Sequence, residues 1–180
     1  MRAIAPAFEA TVRERDPRAV FLSESGLTCL ARFRDRECPL ALRAVVLTSS
    51  NEEVGEVAMT LVTSIARALP PLVVRHEGLA LTIGKAFGIK HEVEIGDPSF
   101  DGLFVVDGTE EAAKLFLVPQ VRTHLLTLAR FDVPTLTIDP GARIASLSWR
   151  FEPAAKALEA AIRVLTAVRQ TPPSLKFRRE

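Results

Sequence analysis

The sequence has no tyrosine, one tryptophan, two cysteines and nine glycines among 180 residues. Without tyrosine, and with no aromatic motif of the kind that stacks bases on an RNA-binding sheet, the chain offers nucleic acid little to stack on. Charge of one sign is missing too. The 23 basic and 22 acidic residues leave a formal charge of +1, so no general field draws in DNA, RNA or anionic lipid. Nucleic acid is therefore not an expected partner. No apolar run reaches the roughly 18–20 residues a bilayer span needs, and the first thirty residues carry charges instead of a signal-peptide core. These absences predict no membrane span and a cytoplasmic location. Cys29 and Cys38 have no metal or redox spacing, and a reducing compartment opposes a bridge between them.

What is present is an ordinary globular composition, 48% hydrophobic and 25% charged, which excludes a disordered or fibrous chain. The length suits one domain with its own core. Ile4, Phe8 and Val12 form one stripe of a short amphipathic helix ending at Asp16-Pro17. Leu27, Cys29, Ala31 and Phe33 alternate with Thr28, Arg32 and Arg34, and Leu40 to Leu47 is a second apolar run, so the pair predicts a hairpin whose first strand has one wet face. Residues 51–69 carry two patterns. Val54, Val57, Ala58, Leu61, Val62, Ile65 and Leu69 fit a helical stripe with a Ser50/Glu53 capping box, whereas β-branched Thr60, Val62, Thr63 and Ile65 fit a strand.

Beyond Pro70-Pro71 the chain predicts a strand over Leu72–His76, a helix through Leu79, Ile83 and Phe87, and a strand at Glu92–Ile95 ending in Gly96-Asp97-Pro98. A short strand over Leu103–Val106 and a helix to Leu117 follow, with Asp107 and Glu110 as the capping pair. Pro119 opens a helix with Val121, Leu125 and Leu128 inward. Strands are expected at Leu136–Ile138 and Ala145–Phe151, separated by a Pro140-Gly141 turn. A last helix begins near Pro153, with Leu158, Ile162, Leu165 and Val168 as its apolar stripe. The expectation is a single α+β domain over residues 1–173, mainly antiparallel sheet packed with helices, and a loose basic tail over 174–180.

Candidate chemistry is sparse. Gly78 to Ala86 misses the phosphate-loop spacing and lacks its hydroxyl. His76, His91 and His124 each lack a neighbouring ligand, and no G-x-S-x-G elbow or activated cysteine occurs. No catalytic residue, metal or cofactor is implied. Asp97 and Asp101 bracket Pro98-Ser99-Phe100 and could hold a hard cation or share acid and base work, with His91 as a third member. The structural reading of Gly96, Asp97, Pro98, Phe100 and Asp101 is better supported: Asp97 and Ser99 accept backbone N–H bonds in a turn, Phe100 fills the core, and Asp101 caps the segment that follows. Two basic clusters, Arg13 with Arg15 and Arg18, and Lys176 with Arg178 and Arg179, read first as solvated charge.

The strings Met59-Thr60-Leu61-Val62, Leu72-Val73-Val74-Arg75, Glu92 through Asp101, and Val121 through Leu128 together resemble a bacterial protein family of no established activity, marked by a G-D-P-x-F-D turn after a strand. The resemblance covers about half the chain. It implies a fold and no function, and it implies a strand over residues 56–65 in place of the helical stripe. Two functional readings follow. The first is a non-enzymatic binding or adaptor domain that holds a protein partner or its own copy through a groove or sheet edge. The alternative is a metal-dependent hydrolase or small-ligand enzyme around Asp97 and Asp101.

Overall fold

A computed structural model describes residues 5–25, 28–47, 56–65, 69–76, 92–150 and 155–172. Eight strands form one antiparallel sheet in the order β1-β2-β3-β4-β8-β7-β5-β6. The strands are β1 Val20–Ser25, β2 Thr28–Asp35, β3 Cys38–Leu47, β4 Glu56–Ser64, β5 Leu72–His76, β6 Phe104–Gly108, β7 Thr135–Asp139 and β8 Ile144–Arg150. Among the described residues the helices are α1 Ala5–Arg15, α2 Pro98–Asp101, α3 Glu110–Phe116, α4 Pro119–Ala129 and α5 Ala155–Gln170. The α+β class, the antiparallel sheet and the long C-terminal helix stand as expected.

The sheet follows from period-2 burial. In β4, Val57, Met59, Leu61 and Thr63 are buried while Ala58, Thr60 and Val62 are half-buried on the other face. Register carries the inner row across the sheet: Leu42 pairs with Leu61, Leu61 with Leu147, and Leu147 with Leu136. A one-residue slip would turn that whole row outward, so burial fixes the register. The strand reading of 56–64 thus holds, and the helical stripe does not form, because a strand here joins two hairpins that one helix would leave unpaired.

Helix α5 covers the inner face with Leu158, Ile162, Leu165 and Val168, all fully buried. Polar ties pin it at both ends. Arg15 of α1 donates to Asp35 of β2 at 3.1 Å and to Glu159 of α5 at 2.9 Å, Thr166 donates to Asp35, and Arg169 reaches Ser64 at the end of β4. Asp35 is buried, so these donors offset the cost of enclosing its carboxylate. Arg13 lies over the Phe21 ring at 5.0 Å, which seats α1 against β1.

One strand lies where the sequence pattern predicts none, and three local expectations need correction. Strand β1 falls between the first helix and the predicted hairpin, where contiguous Val20-Phe21-Leu22 gives no alternation to read; its pairing with β2 makes it a strand. Glu92–Ile95 forms no ladder: Glu92 makes one bridge to Asp107, and the Val93 amide donates to Val106. The short strand runs from Phe104 to Gly108, further than Leu103–Val106. Consequently Asp107 lies inside β6, and the helix cap is Thr109, whose hydroxyl accepts from the Ala112 amide. The expected helix through Leu79 and Phe87, and the segments at Ser50, Phe151, Pro153 and 174–180, lie outside the described residues.

Two outcomes follow. Leu61→Ala should cost about 2–5 kcal/mol, as inner-row truncations do, while Val62→Ala on the outer face should cost about 1 kcal/mol or less. Equal losses in denaturant melts would contradict the period-2 assignment. His124, on α4, has its pKa lowered from 6.5 by burial and then by Arg163, against a smaller opposing effect of Glu159. The unfolded chain therefore binds that proton more readily. Stability from neutral His124 should be present above pH 6.5 and drain away as pH falls through the folded value. His124→Gln should shrink the acid-side loss in a pH series of thermal melts, and an unchanged slope would refute this.

Candidate functional site

The Gly96–Asp101 turn is built from its own carboxylates. Asp97 is the N-cap of α2 and accepts from the Phe100 amide at 3.3 Å, with Pro98 in the first turn of the helix, where its missing N–H costs nothing. Asp101 turns back on the chain, accepting from the amides of Ile95 at 3.1 Å, Gly96 at 2.8 Å and Asp97 at 2.9 Å. Gly96 sits at φ 77, a conformation that a side chain would strain. Asp101 therefore caps the segment before it and not the one after, because the left-handed Gly96 points three successive N–H groups at one carboxylate.

Phe100 is fully buried and stacks on Phe104, with ring centroids 4.7 Å apart. Ser99 is exposed. Arg122 of α4 donates to Asp97 at 3.1 Å and to the Leu117 carbonyl at 2.9 Å, locking the turn to the α3–α4 junction. Beside it lies a cavity of about 460 Å³ lined by Ile95, Lys114, Leu117 and Arg122 among others. Every carboxylate oxygen of Asp97 and Asp101 thus has an N–H partner within the chain. Among the described residues no three His, Cys, Asp or Glu side chains are grouped to hold a metal ion. His76 is on β5 and His124 on α4, while His91 and the Gly78–Ala86 stretch lie outside the described residues.

Both cysteines are free thiols. Cys38 is buried against the Thr63 hydroxyl at 3.5 Å. Cys29, on β2, has its pKa raised by burial and then by Glu9, which works against thiolate chemistry. An ion pair that the sequence does not announce lies on the outer face near β6: Arg75 donates to Asp107 at 2.7 Å, both side chains being buried. Diagonal positions across β5 and β6 bring them together, and one guanidinium nitrogen, Nη1, has no hydrogen-bond partner among the described residues.

The larger concavity lies elsewhere, at the β2–β3 end of the sheet, with a volume of about 1050 Å³. Its floor contains Pro39 and Ala41 of β3 and Val62 of β4, which share the outer face. Arg18, Arg32, Arg34 and Arg36 stand around it, all exposed. Asp16 sets the corner: its carboxylate accepts from the amides of Arg18 and Arg34, fixing the β1 entry against β2. Of the first basic cluster, Arg13 is paired with Glu9 and Arg15 with Asp35 and Glu159, which leaves Arg18 for the groove. Sequence alternation already marks Arg32 and Arg34 as the wet face of a strand. What it lacks is the pairing that sets Arg18 beside them.

No protein family and no curated protein matches this chain.

Asp101→Ala removes one acceptor from three amides and should destabilise by at least about 2 kcal/mol, given charge-assisted bonds of roughly 1.5–3 kcal/mol each. Magnesium, calcium, manganese or zinc should leave the thermal midpoint of the unaltered protein in place. A rise with one cation that disappears in Asp97→Ala would instead make the turn a metal site.

Proposed function

We propose that this chain is a protein-binding or adaptor domain, acting through the outer face and the outermost strand of the β1–β3 end of its sheet. One observation carries the reading: β1 is an outermost strand and exposes two large aliphatic side chains there, Val20 at 52% and Leu22 at 45%. Both point to the face that carries the groove, since Val20 pairs with Arg32 and Leu22 with Leu30. An outermost strand presents unpaired N–H and C=O groups, and aliphatic side chains beside them suit an added strand or a partner's loop. The saturated carboxylates of the Gly96–Asp101 turn support the same reading by leaving that turn a structural task. Among the described residues no helix is long and apolar enough to cross a membrane.

A photo-crosslinking residue placed at Leu22 in the full chain, inside cells, tests this. Discrete protein adducts, including a dimer of the chain if the partner is its own copy, are expected at Leu22 and not at exposed Lys156 on α5. Equal labelling at both positions, or none at either, would overturn the reading.

A further inference from the structure

The groove beside β1 has a chemistry more specific than an exposed edge. Five arginines line it, Arg15, Arg18, Arg32, Arg34 and Arg36, against two acids, Asp16 and Glu37. The whole chain has a formal charge of +1, so its positive charge is gathered here beyond the molecule's own balance. Arg15 is engaged by Asp35 and Glu159, and Asp16 directs its oxygens to backbone amides. Among the described residues, Arg18, Arg32, Arg34 and Arg36 have no carboxylate partner.

Their arrangement runs against stability. Arg32 and Arg34 are two apart on one face of β2, and Arg18 lies two residues before Val20, which itself pairs with Arg32. Like charges placed side by side on a sheet are destabilising, and an inert surface intersperses the signs. Arg36 adds a second cost. It occupies the β2–β3 turn at φ 56, a position where glycine or asparagine is the low-strain choice. Like charges gathered at one concavity favour an anionic partner. Below the guanidinium groups the floor is apolar and shallow, with Ala41 and Val62 side by side in register.

We infer that this groove binds an acidic, extended segment of a partner protein, with carboxylates on Arg18, Arg32, Arg34 and Arg36 and small apolar side chains on the Ala41 and Val62 floor. The inference rests on the reading of this surface as protein-binding and names the chemistry of the partner. Guanidinium forks match carboxylates in pairs, which gives orientation as well as attraction. Nucleic acid suits the groove less well: Phe33, the one aromatic residue in its lining, is buried, so bases have no ring to stack on.

The test uses the full chain and fluorescein-labelled peptides of about ten residues, extended at ~3.3 Å per residue, with glutamate and valine alternating, or lysine and valine, beside an oligouridylate of similar charge. Anisotropy should show the glutamate peptide binding at least about tenfold tighter than the lysine peptide, and weakening as salt rises. Arg32→Glu with Arg34→Glu should lose that binding about tenfold or more, while Lys156→Glu with Arg130→Glu, the same charge change on exposed residues elsewhere, should leave it within about twofold. Arg36→Glu, in an exposed turn, supplies a single-site version should the double variant melt early. Equal binding of the two peptides, indifference to the arginine reversals, or tighter binding of the RNA would each overturn the inference. If the peptides show no charge preference and Leu22 still forms its adducts, the acidic partner alone is wrong. If both fail, the protein-binding reading falls with it.

Discussion

The structure depends on a single constraint: among the described residues, one face of the sheet carries a continuous apolar row from β3 to β7, and α5 packs on it. Leu61 and Leu147 occupy the middle of that face, paired with each other and fully buried, and the register of β3, β4, β8 and β7 passes through them. Because side chains alternate strictly, choosing these residues as inner also chooses the outer ones. Arg32, Arg34, Ala41 and Val62 share a face for the same reason that Phe33, Leu40 and Leu61 share the core. The groove is thus a by-product of the packing that folds the protein, decorated by residues the core does not need.

Polar interactions in this fold divide by task. Asp35, Asp97 and Asp101 hold elements together: the first joins α1, β2 and α5, the second joins α2 to α4, and the third closes the bend at Gly96. Each is engaged by donors of the chain itself. The arginines of the groove are the opposite case, exposed and clustered. The carboxylates of the turn, used up within the fold, are thereby set apart from the four exposed guanidinium groups of the sheet. The buried Arg75–Asp107 pair belongs with the first class by its burial.

Much of the fold is legible in the sequence wherever one pattern dominates. The alternation through Leu136–Ile138 and Ala145–Trp149, the stripe of α5, and the Pro119 helix all emerge at their expected places. Ambiguity enters where two periodicities coexist, as in β4, whose residues satisfy a helical stripe and a strand equally well until their neighbours in the sheet decide. Asp107 and Thr109 are both good caps by residue type, and Thr109 takes the role because a buried arginine on the neighbouring strand claims the aspartate. The turn was legible in its residue types but not in its direction: Asp101 caps backward since Gly96 adopts positive φ. As for the groove, its arginines are visible one by one. Their convergence is tertiary, made by the Asp16 corner and the β1–β2 ladder.

The central claim is that partner contact occurs on the outer face at the β1–β3 end and not at the Gly96–Asp101 turn. Amide chemical shifts of the labelled protein, followed while the glutamate and valine peptide is added, test it most directly. The account predicts shifts confined to Arg18 to Leu22, Arg32 to Arg36, Ala41 and Val62, with Gly96 to Asp101 unmoved. Shifts centred on Gly96, Asp97 and Arg122, with the β2–β3 hairpin silent, would contradict it.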